Sequence, residues 1–201
     1  MSALNLVIVI NIIVYLIDLV YGLQTIFALP SLMTWDVVTQ QPWRLITYGF
    51  MHAPPGVALG IWHILINMYM LWLFGRSVEL VYGFKKFLFM YIVVVIVSGL
   101  GWVLTEHDQR LLVGASGGVS GVIMLFTINF PNCKCFVVLI PAWLLCTIIF
   151  GLDVAGILGL RSPNSLAYAG HLSGAIAGIL FACTLTKANT VVCLNKGEHH
   201  D

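Results

Sequence analysis

Six apolar stretches, each nearly free of charge, recur along 201 residues. They run over about Leu4–Leu23, Gly60–Phe74, Lys86–Thr105, Leu112–Phe130, Phe136–Leu152 and Ala167–Thr186. A helix needs about 20 mostly apolar residues to cross the hydrocarbon of a bilayer. With 60% hydrophobic and 8% charged residues, against roughly 25% charged in soluble domains, the chain cannot hide its apolar surface from water. The expected fold is an all-α membrane protein of six transmembrane helices, with the second span extending back toward Pro54–Pro55 and forward toward Leu80.

The connections sharpen this picture. The first, about Gln24–Leu59, is the longest and mixes Pro30, Asp36, Trp43, Arg44, His52, Pro54 and Pro55 with Ile46, Phe50 and Met51. A long and partly apolar loop beside a bilayer is expected to lie in the interface. Residues 1–201 read as a single domain, with a core of about 4–186 and a short polar tail over 187–201. The N-terminus, second loop, fourth loop and tail carry Arg76, Lys85, Lys86, Lys134, Lys187 and Lys196, while the other loops carry Arg44, Arg110 and Arg161. This six-to-three bias predicts that both termini are cytoplasmic.

A net charge of +1 without clustered Lys and Arg excludes a nucleic-acid footprint. Five cysteines, several in or beside apolar spans, do not form a disulfide framework. The Cys133-x-Cys135 pair has no nearby His or second Cys pair to complete a zinc site, so free thiols are expected there. No metal or cofactor is expected.

Polar groups inside a bilayer are costly and mark function. The second span holds His63 and Asn67, the fourth Ser116 and Ser120, and the sixth His171 and Ser173. Counted from the outer ends of their spans, His63, Ser116 and His171 fall at one depth, about two helical turns in. Gly114/Gly118, Gly117/Gly121, Gly170/Gly174 and Gly174/Gly178 are small residues four apart, which lets membrane helices approach closely. On the sixth span Gly174, Ala175 and Gly178 share the face of His171. These features allow a serine activated by a histidine base. His63, the Asn67 amide and the Ser116 N–H would serve as oxyanion donors. No acidic residue adjoins His171 in sequence and Asp18 of the first span reads as an interhelix contact, so a Ser–His dyad is expected.

Gly114-Ala115-Ser116-Gly117, Ala169-Gly170-His171-Leu172-Ser173-Gly174, His63-x-x-x-Asn67, Trp43-Arg44, and Gly75-x-x-x-Glu79 followed by Gly83 together resemble the motifs of rhomboid intramembrane proteases, in order, over about residues 40–180. The resemblance implies a six-helix rhomboid-like bundle with a cavity open to the outer side. It implies Ser116 and His171 as catalytic residues, transmembrane protein substrates cut in or near their spans, and a gate at spans two and five near Trp143; the absence of long soluble extensions favours a bacterial inner-membrane location. Gly118-x-Ser120-Gly121 is a second, overlapping serine motif; depth and the Gly-Ala-Ser-Gly start favour Ser116. Some bacterial members stack a Tyr, four residues after the nucleophile, on the histidine; here that position is Ser120. The alternatives are a catalytically inactive relative that binds membrane clients, and a small transporter. Retention of both Ser116 and His171 counts against the first, and the lack of an internal repeat against the second.

Overall fold

The computed structural model describes residues 1–22, 34–56, 60–105, 111–134, 140–160 and 167–184. The expected tail and the loop cations Arg110, Arg161, Lys187 and Lys196 lie outside them. The described elements are helices: α1 (Ala3–Tyr21), α2 (Trp35–Gln40), α3 (Arg44–Thr47), a 3-10 turn (Tyr48–Phe50), α4 (Ile61–Thr105), α5 (Ser116–Asn129), α6 (Ala142–Ile157) and α7 (Tyr168–Thr184). By length and composition α1 and α4 could each cross a membrane, and α5, α6 and α7 are apolar but shorter.

The second and third expected spans are joined more tightly than their hydropathy suggests. Only Gly83 leaves helical geometry, at φ 78° and ψ 167°, and helix resumes at once on either side. A side chain is strained at such a positive φ, so glycine provides the break. The two arms, 61–82 and 84–105, fold back on each other, with Gly75 packed against the Phe87 ring. Phe74, Phe87, Met90, Tyr91 and Leu125 are fully buried where α4 meets α5.

The N-terminus of α1 is fixed by two acceptors. Ser2 Oγ takes the Asn5 N–H. Glu79, on the first arm of α4, accepts the Ala3 N–H at 2.6 Å and the Leu4 N–H at 3.1 Å. A carboxylate there satisfies two amides that the helix itself cannot pair and sits at the positive end of its dipole. The Gly75-to-Glu79 motif therefore joins α1 to α4.

Two sequence expectations need correction. The fifth span, expected over Phe136–Leu152, is displaced: α6 starts at Ala142, after Pro141 in an extended conformation, and runs to Ile157. Proline lacks the N–H that a helix interior needs, so Pro141 sets the start whatever the apolarity before it. Cys133, expected as a free thiol, is in a disulfide whose partner lies outside the described residues.

The α5–α7 contact is a glycine seam. A Cβ on Gly174 would strike the Gly117 carbonyl, and one on Gly178 would come within 2.5 Å of the Gly121 carbonyl oxygen. On the other flank, Gly117 has room only for the Ser98 hydroxyl of α4, and Gly118 only for Tyr91 and Val95. Close backbone approach substitutes here for side-chain interdigitation.

Candidate active site

Ser116 is the first residue of α5. The expected span began at Leu112; instead residues 112–115 approach the helix in an irregular turn. Gly114 takes φ 110° in that turn, and its N–H donates to the Tyr48 carbonyl at 3.2 Å. Tyr48 is in turn anchored by its hydroxyl, which donates to the Val95 carbonyl at 2.8 Å. The Ala115 N–H points to His52 Nε2 at 3.5 Å. The turn is thus held by the 3-10 segment and His52, and it delivers Ser116 with its N–H in the first helical turn, where the helix offers no acceptor.

The seam sets what faces Ser116. Its Oγ is 2.9 Å from His171 Nε2, a distance suited to proton transfer. The other ring nitrogen, Nδ1, is 3.1 Å from Asp153 Oδ1 on α6. His171 keeps 14% of its side-chain surface accessible, whereas Asp153 keeps 5%. The dyad expectation is therefore incomplete as geometry: a carboxylate adjoins His171. The displaced fifth span accounts for the omission. A window closing at Leu152 leaves Asp153 in a loop, while the actual helix carries it inward, and a single acid within Gly151-Leu-Asp-Val-Ala-Gly156 was the available signal.

His63 and Asn67 begin the first arm of α4 on the facing side. His63 Nδ1 accepts the Ala53 N–H at 3.3 Å, which leaves the ring proton of the neutral form on Nε2. That Nε2 lies against Gly114: a Cβ there would come within 2.7 Å of it. Asn67 is buried and spends one amide hydrogen on the His63 carbonyl at 2.8 Å, leaving a second. The same Gly114 position is 3.9 Å from Asn67 Nδ2. Two side-chain donors thus stand beside the turn that precedes Ser116.

His52 is 1% exposed and its ring centroid is 5.2 Å from that of His63. Burial, reinforced by the nearby His63, pushes its pKa down to about 3. It stays neutral at physiological pH and can accept from Ala115. The sequence showed His52 in the first loop but gave no reason to attach it to the serine turn.

The remaining expected residues lie around this centre. Gly117, Gly170, Gly174 and Gly178 pack α5 and α7 against each other and against Ser98. Arg44 is buried and its Nε donates to Gln41 Oε1 at 2.9 Å, while Trp43 is 57% exposed beside it. Glu79 is engaged at the start of α1. Ser120 is buried one turn beyond Ser116, and the hydrogen bond to His171 is made by Ser116. Asp18 is buried on α1. Trp143 is half-exposed on α6.

A family model for the Rhomboid domain matches residues 39–188. The rhomboid protease GlpG of Yersinia pseudotuberculosis serotype I is 31% identical over 198 residues, covering 92% of this chain and 64% of that protein. The mitochondrial rhomboid protein 1 of Saccharomyces cerevisiae is 32% identical over 136 residues, covering 63% and 39%. The rhomboid protease GluP of Bacillus subtilis is 28% identical over 145 residues, covering 71% and 26%. The chain belongs to the rhomboid family. This rhomboid spans less than two thirds of the length of each of these relatives. Its apolar helices agree with a family of membrane proteins, and the residues that carried the resemblance fall within or beside the Ser116 centre, except Trp43, Arg44, Gly75, Glu79 and Gly83.

Proposed function

We propose that this rhomboid is an intramembrane serine endopeptidase that cuts single-span membrane proteins in or near their transmembrane segments. The observation that carries the reading is the 2.9 Å contact between Ser116 Oγ and His171 Nε2, made by the first residue of a helix whose N-terminal amides are open. A hydroxyl is a weak nucleophile until a base takes its proton. In this reading the Ser116 oxygen attacks the peptide carbonyl while its proton passes to His171 Nε2. The carbonyl oxygen becomes an oxyanion, held by the Ser116 N–H, His63 Nε2–H and the free Asn67 amide hydrogen. Collapse breaks the C–N bond, and the leaving amine takes the proton from His171. Water then repeats the cycle on the acyl-enzyme.

The same reading has α1, the two arms of α4, α5, α6 and α7 as six spans in one domain. The first loop lies in the interface. Both termini are on the cytoplasmic side of a bacterial inner membrane, as the six-to-three distribution of Lys and Arg favours.

Cleavage of a transmembrane reporter in proteoliposomes tests the function. Ser116→Ala and His171→Ala should lose activity by about 10⁴-fold or more, and Ser120→Ala should retain it. A serine-directed phosphonate should label the wild type and not Ser116→Ala. Full cleavage by Ser116→Ala would refute the nucleophile. Binding of the reporter without cleavage by the wild type would favour the client-binding alternative.

A further inference from the structure

The protease reading leaves the buried carboxylate of Asp153 without a task. Asp153 is 4% exposed on an apolar helix, and among the described residues its Oδ2 has no hydrogen-bond partner. A half-satisfied carboxylate in such a place is costly, so a purely structural tie between helices would be better made by a neutral group. The hydrogen-bond contact it does make is directed at the nitrogen of His171 opposite the serine.

The neighbouring packing holds that contact in register. Three residues after Asp153, Gly156 provides the space occupied by the ring of Tyr168, which lies three residues before His171. The two pairs are successive turns of antiparallel neighbours. Any side chain at Gly156 would strike the Tyr168 ring and push α6 from α7 one turn away from Asp153.

We propose that Asp153 is a positioning residue of this rhomboid, which fixes the tautomer and orientation of His171 and so completes a three-membered Asp153–His171–Ser116 arrangement. An ionised carboxylate only accepts hydrogen bonds. Against it Nδ1 must carry the ring proton, and Nε2 then presents its lone pair to the Ser116 hydroxyl. Attack by serine moves that proton to Nε2 and leaves an imidazolium next to the carboxylate. The ion pair exists only after proton transfer, so its stabilisation acts on the transition state and not on the resting enzyme. The proton remains on His171 until the leaving amine takes it, and Asp153 is unchanged at the end of the cycle.

The inference rests on the protease reading and is tested apart from it. In proteoliposomes Asp153→Asn, nearly the same shape but uncharged, should lower kcat by about a hundredfold to ten-thousandfold with KM within about threefold. Asp153→Ala should also be impaired, and added formate should restore part of its activity. Imidazole ¹⁵N shifts of His171 should show Nδ1–H in the wild type and a growing share of Nε2–H in both variants, which a merely structural role would not produce. The thermal midpoints of the variants establish that they are folded. Wild-type kcat in Asp153→Asn, or an unchanged His171 tautomer in both variants, overturns the proposal even if Ser116→Ala is inactive. Cleavage that survives Ser116→Ala instead overturns the nucleophile assignment, absence of cleavage by the wild type overturns the protease reading, and in either case the ¹⁵N result still decides whether Asp153 sets the tautomer.

Discussion

Gly174 of α7 rests directly on the carbonyl of Gly117 in α5, one residue after Ser116 and three residues after His171 in their respective helices. A branched side chain at Gly174 meets backbone that cannot rotate away. Gly174→Val should therefore separate Ser116 from His171, and a displacement of about 1 Å is enough for a loss of about a hundredfold. Gly170→Ala is the milder comparison, because its Cβ would meet the Ser98 hydroxyl at 3.2 Å, and that side chain can turn. Reporter cleavage and phosphonate labelling should fall together in Gly174→Val and far less in Gly170→Ala. Equal activity in the two would deny the seam its role.

His63 and Asn67 offer hydrogens beside Gly114, where charge would develop on the substrate oxygen. Loss of one oxyanion donor lowers kcat by about 10²–10³-fold. His63→Ala and Asn67→Ala should each show a loss of this size in kcat with little change in KM. An effect confined to KM would make them substrate-binding groups instead.

Glu79 accepts two amides at the start of α1. Removing a part-buried acceptor takes the partner from those donors, at a cost of at most about 1–3 kcal/mol. Glu79→Ala should lower the thermal midpoint in detergent, and Glu79→Gln, which keeps one oxygen, should lower it less. Cleavage at a temperature where the variants stay folded should be close to wild type. A kcat defect with unchanged melting would mean that Glu79 acts on the site directly.

The buried His52 predicts an acid-sensitive fold. Its pKa falls from 6.5 to about 3 in the folded protein. Below 6.5 the unfolded chain binds a proton that the folded chain does not, so the unfolded state gains. The stability from neutral His52 is complete above pH 6.5 and declines as pH falls toward 3. Thermal unfolding at pH 7.5 and 4.5 should differ more for wild type than for His52→Gln, which can still accept from Ala115. The same acid shift in both would exclude His52 as its source.

Much of this site could be read from the chain before any coordinates. Small residues four apart and polar residues at one depth are local patterns, and they placed Ser116 opposite His171 because helices preserve spacing. What escaped was set by geometry that apolarity does not encode. Hydropathy avoids charge, so the apolar window closes just before Asp153, while Pro141 moves the helix onward. Lys85 and Lys86 suggested a loop, yet one glycine is enough to reverse α4. His52 reaches Ala115 across 63 positions, a distance at which sequence spacing carries no information.

The glycine seam makes the scaffold and the reaction centre share the same short stretches of chain. Around residues 117, 121, 174 and 178, almost any substitution should lower the amount of protein in the membrane as well as its activity. At Ser116 and His171, which keep some accessible surface, substitution should leave abundance intact while abolishing cleavage. A saturation library sorted only by protein level would then draw the outline of the active site without any substrate, as two tolerant positions enclosed by an intolerant band.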